Sequence, residues 1–255
     1  MTEDRVYEIA VPDYPKEFEI ACACAQEHVR KLGMESIRFL GGMYSGTLTE
    51  HFSFALGNQI FFVFVTVDGL VGFEGVARDM FLRNCAEAKA TACVMEMRAG
   101  KAGYSPAGLG WGLEDPQTGR AIDPPSRISE ELIEMSDWDV HDFAVQVVVT
   151  TLERQGHEIA ARQSNPLIDP SIWFDDDGIR SWVMVRGVRH PAPHMPTPSD
   201  AKLFAATVKD EAVRGYFCSI RVANANDNFD PSGANALPLY RGHALAVGFG
   251  GLEPV

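Results

Sequence analysis

Between Pro15 and Leu32 the apolar residues Phe18, Ala21, Cys22, Ala25, Val29 and Leu32 recur at helical spacing, and Gly33 follows as a stop. This spacing predicts a first helix. Short strands are expected at Ser36–Leu40, at His51–Leu56 and, after the Gly57-Asn58 turn, at Ile60–Val67, with a Gly41-Gly42 loop behind the first. The last of these reads apolar almost throughout, the pattern of a strand buried on both faces. A second helix over Val76–Ala90 and a strand over Thr91–Met97 complete this run, and residues 99–127, dense in Gly and Pro, read as a long connector with a strand at Trp111–Leu113.

The pattern then restarts. Ser136 followed three residues later by Asp139 is a capping-box variant, and Val140, Phe143, Ala144, Val147, Val148 and Leu152 form an apolar stripe ending before Gly156. The β-branched run Val147–Thr151 suits a strand equally well, but its length and the stop signals at both ends favour a helix to about Gln155. Strands are expected at His157–Gln163, Ser171–Phe174 and Arg180–Val188, the last two joined by Asp175-Asp176-Asp177-Gly178. A proline-stiffened connector, a helix capped by Ser199 and running to Val213, a strand at Gly215–Ala223, a polar loop over Asn224–Leu237 and a final strand at His243–Phe249 follow.

Both halves therefore present helix, strand, hairpin, helix, strand. Gly33 and Gly156 lie 123 positions apart, Gly57 and Gly178 lie 121 apart, and Cys93 and Cys218 lie 125 apart. A nearly constant offset through matched elements is the mark of an internal duplication. The fold class expected is α+β: two similar αβββαβ halves, residues 1–121 and 122–255, with mostly antiparallel sheet. This order resembles the core of the PD-(D/E)XK restriction-endonuclease superfamily and the fold of small acidic type III secretion chaperones.

Composition narrows the function classes. With 22 Lys and Arg against 35 Asp and Glu, the formal net charge is −13, which argues against a general nucleic-acid binder and suits an acidic face meeting a basic protein partner. The longest apolar run is Ile60–Val65, far short of a membrane span, and the acidic start lacks a basic signal-peptide head. Five cysteines without a CxxC pair read as reduced thiols, so a soluble, cytoplasmic chain is expected.

The endonuclease resemblance implies a helix acid, a strand acid and an (E/Q)xK pair gathered around Mg²⁺. Glu153 and Asp169 stand where the two acids would be, but Met184 occupies the second carboxylate position and Arg186 the lysine position. Asp137 and His141, four apart on a helix, are a weaker metal pair, and His190 and His194 are held apart by two prolines. Gly108–Gly112 lacks the Lys-Ser/Thr ending of a phosphate loop, and no GxSxG elbow is present. Trp173 and Arg241, an aromatic and a cation beside predicted strands, are the candidate ligand-binding residues. No metal or cofactor is expected. The reading is a non-catalytic protein-binding or regulatory protein, chaperone-like or immunity-like, acting through an acidic surface. The competing reading is a degenerate PD-(D/E)XK-like metal-dependent nuclease or hydrolase using Glu153, Asp169 and Arg186, and a third is a homo-oligomer joined through a sheet edge.

Overall fold

A computed structural model describes residues 14–40, 51–101, 103–166, 168–208, 214–227, 229 and 236–255. The chain divides into two compact units. The first is drawn from residues up to Arg127, and the second holds Ile128–Val255 together with Glu87–Lys89 and the segment at Leu40.

The first unit runs α1 (Lys16–Gly33), β1 (Ile37–Phe39), β2 (Phe52–Leu56), β3 (Gln59–Val67), α2 (Gly75–Glu87) and β4 (Thr91–Gly100). The Gly/Pro-rich connector then contributes β5 (Gly103–Pro106), β6 (Leu113–Glu114) and β7 (Ala121–Ile122). Trp111, expected in a strand, sits in a turn just before β6. The sheet order is β1-β2-β3-β4-β6-β7, with β5 also paired to β4. Alternation along β3 sends Phe61, Val63 and Val65 into the core shared with Phe18, Ala21, Ala25 and Val29 of α1. Phe64, on the opposite face, meets Phe73 and Phe81 at ring distances of 4.9 and 5.7 Å. Both faces of β3 are thus covered, as its unbroken apolar run demands.

The second unit runs α3 (Asp137–Arg154), β8 (Glu158–Arg162), β9 (Ile172–Asp176), β10 (Ile179–Arg189), α4 (Ser199–Thr207), β11 (Arg214–Asn224), β12 (Leu245–Phe249) and β13 (Glu253–Pro254). The capping box forms as the sequence suggests: Ser136 Oγ accepts from the Asp139 N–H, and Asp139 accepts from the Ser136 N–H. The β-branched run Val147–Thr151 is helical, because Val145, Val148, Val149 and Leu152 bury one stripe against Val183 and Val185 of β10. On the other face Trp182 and Met184 pack with Ala201 and Phe204 of α4 and with Phe217. Ser199 is the first helical residue rather than the cap; Pro198 holds the N-cap position, and the expected extension over residues 209–213 lies outside the described residues. So do the Gly41-Gly42 loop and half of the polar loop Asn224–Leu237. The sheet order is β12-β11-β10-β9-β8, with β13 also on β11.

The α+β class holds, as two mixed sheets. In each, the third strand of the αβββαβ run pairs antiparallel with the second and parallel with the strand that follows the crossover helix. The hairpin registers correspond position for position: Leu56↔Gln59 matches Asp176↔Ile179, an offset of 120. That is one less than the Gly57–Gly178 alignment implies, because Asp177, with φ 54°, takes the left-handed place of Gly57. Across the crossover, Val63 pairs Cys93 where Val183 pairs Tyr216, so Cys218 corresponds to Met95 and not to Cys93. A side chain performs the same task in both units. Nδ1 of His51 accepts the Val65 N–H at 2.8 Å, and Oγ of Ser171, 120 positions on, accepts the Val185 N–H at 3.3 Å. These correspondences support, as a proposal, descent of both units from one module.

His51 is buried between Phe18 and Phe64, and burial pushes its pKa from 6.5 down to about 3. Below pH 6.5 the unfolded chain takes up a proton that the folded unit refuses. This residue therefore costs nothing above pH 6.5 and removes about 1.4 kcal/mol of stability per pH unit as the pH falls toward 3. Urea denaturation at pH 7 and pH 5 should show that loss in the wild type and a smaller one in His51→Ala. At pH 7 the variant should itself be about 1–3 kcal/mol less stable, for want of an acceptor for Val65.

Candidate functional site

Several polar side chains of the second unit, Ser171, Asp169 and Arg186 among them, meet where β10 outruns β9. The β9 ladder on β10 ends at Ile172↔Val183, and beyond it the chain continues the pairing only through Ser171, whose N–H donates to the Val183 carbonyl. Past that point β10 has no strand on this side among the described residues, and Arg186 lies there on the α4 face. A cation among Trp182, Met184 and Val188 needs a partner, since an unpaired buried charge is strongly unfavourable.

Asp169 supplies it. Arg186 Nη1 donates to Oδ1 at 2.8 Å and Nη2 to Oδ2 at 2.5 Å, a fork-to-fork pair with both side chains about four-fifths buried. Arg186 Nη1 also donates to the Val185 carbonyl, and Asp200 of α4 stands 3.9 Å from Nη2. The Asp169 hydrogen bond raises the pKa of Arg186 further, so the guanidinium stays charged. The loop carrying Asp169 is braced by Gln163, whose Nε2 donates to the Ile168 and Pro170 carbonyls while Oε1 accepts the Asn165 N–H.

On the opposite face of β10, His141 of α3 comes against the strand at the adjacent Gly187. The helix reaches the strand closely at that point: a Cβ on Gly187 would stand 2.7 Å from the Val140 carbonyl oxygen and 2.9 Å from His141 Cα. Burial, and then the charge of Arg186, push the His141 pKa down to about 4, which keeps the imidazole neutral at pH 7. Among the described residues its buried Nε2 finds no hydrogen-bond partner. One turn along, Gln146 donates to Asp142 at 2.5 Å.

The remaining candidates are placed as follows. Glu153 is exposed in the last turn of α3. Trp173 is half-buried on the α4 face of β9, edge-on to Phe204 at 6.3 Å. Arg241 is committed inside the second unit: it forks onto Asp139 through Nε and Nη2 and donates to the Ala88 and Lys89 carbonyls, which engages four of its five N–H groups. Asp137 is fully exposed beside Arg189 while His141 is buried, so those two do not face one another. His194 meets the Ser219 carbonyl at the surface, whereas His190 is buried 3.6 Å from Asp227. Asp176, at the end of β9, accepts from Arg214 at 2.8 Å and from the Tyr216 hydroxyl. Among the described residues no three His, Cys, Asp or Glu side chains gather as metal ligands, and no helix is long and apolar enough to cross a membrane.

Sequence reasoning missed His141 as a buried residue packed against β10. Its one visible signal was position, since it falls on the apolar stripe between Val140 and Ala144. Residues 138–255 match the model of a family described as Domain of unknown function (DUF8840), a span that holds His141, Asp169, Arg186 and Arg241. No curated protein and no solved structure matches the chain.

If Asp169 chiefly neutralises Arg186, Asp169→Ala should destabilise the protein by about 3 kcal/mol in chemical denaturation. Arg186→Met on that background should restore part of the loss, since it removes the stranded cation. In the single Arg186→Met variant the His141 pKa should rise, read from its imidazole resonances in an NMR titration.

Proposed function

We propose that this chain is a non-catalytic binding protein that holds a basic protein partner against an acidic surface. One observation carries the reading: the carboxylate that a metal-dependent hydrolase would need, Asp169, is engaged through both oxygens by the chain's own Arg186. A cation entering there would have to displace a guanidinium that binds in the same plane with two hydrogen bonds. Glu153, the acid that would share the ion, faces solvent at the end of α3. Met184, at the position of the second strand acid, is buried beside Trp182 and α4.

The acidic surface supplies what the buried cluster does not. A net charge of −13 favours approach of a basic surface over distances of a Debye length, about 8 Å at physiological ionic strength. Exposed acids crowd the stretch before α3, where Glu130, Glu131 and Asp137 accompany the exposed Ile128 and Leu132. Chaperones and immunity proteins are the classes of binder that such a surface suits.

The second reading is a degenerate metal-dependent nuclease or hydrolase, in which Asp169 and Arg186 would stand at the strand-acid and basic positions. Two measurements separate the readings. Affinity capture from lysate of the native source should return one stoichiometric basic partner at low salt and release it as ionic strength rises; capture of none overturns the binding reading. Plasmid and RNA incubated with Mg²⁺ or Mn²⁺ should stay intact with wild type and with Asp169→Ala alike; cleavage by wild type that Asp169→Ala abolishes establishes the hydrolase.

A further inference from the structure

We propose that β12 is the contact edge of a homodimer, pairing antiparallel with β12 of a second copy about a two-fold axis at Val247. The phase of the β11–β12 ladder shows which groups are available. Ala225 N–H donates to the Ala244 carbonyl, so that pair is hydrogen-bonded, and with it, two residues apart, Ala223–Ala246 and Arg221–Gly248. Leu245, Val247 and Phe249 alternate with these. Their N–H and C=O groups therefore point away from β11, at the end of the sheet, where among the described residues no strand takes them up.

The residues of this edge are self-complementary. Leu245-Ala246-Val247-Gly248-Phe249 alternates large and small about its centre. A two-fold axis through Val247 sets Val247 against its own copy, Leu245 against the second copy's Phe249, and Ala246 against the second copy's Gly248. Large meets large and small meets small, as an isologous contact requires. The three outward-pointing residues fall into hydrogen-bonded register, with two N–H···O=C bonds for each opposing pair. Leu245 and Phe249 already pack on the α3 core, and Val247, 37% exposed, lies on the same face. The dimer would continue that apolar surface from one copy into the next.

Charge selects a second copy as the occupant. Two chains of net charge −13 repel, and any charged side chain in the contact would meet its own sign across the axis. From His243 to Leu252 there is no Lys, Arg, Asp or Glu. The other end of the same sheet is guarded in the usual way: β8 carries Glu158 and Arg162 and a register shift between Ile159 and Ala161. β12 has neither device.

Sedimentation equilibrium or light scattering over a wide concentration range tests this. The wild type should rise from 28.0 kDa toward twice that mass, and Val247→Lys should remain at 28.0 kDa. Because β12 itself carries no charged side chain, Arg221 of β11 lying against Gly248 being the one guanidinium beside it among the described residues, raising the salt should leave the dimer intact, whereas the acidic-surface partner above should dissociate. The second readout needs no variant. Amide exchange of Leu245, Val247 and Phe249 in the wild type should slow by about tenfold or more between dilute and concentrated samples. A wild type that stays monomeric, a dimer that survives in a folded Val247→Lys, or dimerisation without slowing of these three amides overturns the proposal.

Discussion

The parallel pairing of β10 with β11 governs the second unit. Parallel neighbours cannot be joined by a tight turn, so the chain must cross over the sheet, and α4 is that crossover. With α4 on one face and α3 on the other, β10 lies at the centre of the unit with both faces covered, and it reads apolar from Trp182 to Val185 for that reason. Two close approaches hold the arrangement. Trp182 lies opposite Gly215 in the parallel register, and a Cβ there would come within 2.3 Å of the indole ring. Gly187 admits the α3 backbone at Val140 and His141.

Arg186 interrupts this apolar strand, and the polar chemistry of the unit follows from it. The charge arises where β9 has ended, so the loop before β9 can turn inward and offer Asp169. His141, on the α3 side of β10, stays neutral, burial first and the charge of Arg186 second lowering its pKa. Ordered burial of an Arg–Asp pair adds little net stability compared with apolar packing, because desolvation opposes the attraction. Its physical effect is to tie the loop, β10 and α4 into one geometry, since losing either partner strands the other.

The first unit shows the same framework without that charge. By the hairpin register Thr66 stands where Arg186 does, and Phe64 where Met184 does. The conserved device between the units is instead a side-chain acceptor beside the third strand, an imidazole at 51 and a hydroxyl at 171, which closes one backbone N–H beyond the end of the hairpin. Two different residue types satisfy the same donor. Topology and hydrogen-bond demand are thus matched in the two units although the side chains differ; the offset is 120 through the hairpin and 123 across the crossover, so aligning the two cysteines misleads.

Much of the fold was legible in the chain itself. The stripes from Phe18 to Val29 and from Val140 to Leu152, the capping box at Ser136 and the two hairpin turns act within a few residues of one another, so their periodicity and spacing determine the elements directly. Short strands inside the Gly/Pro-rich connector, and β13, were not legible, since two to four residues carry no period and are held only by their neighbours. The site was readable only in part. Asp169 and Arg186 were nameable as residues, but their pairing depends on how far β10 outruns β9. The nearness of His141 depends on a glycine contact between a helix and a strand 46 positions apart in sequence. Such distances are decided by packing in three dimensions, where a cation without a local partner takes whichever acid the tertiary fold brings within reach.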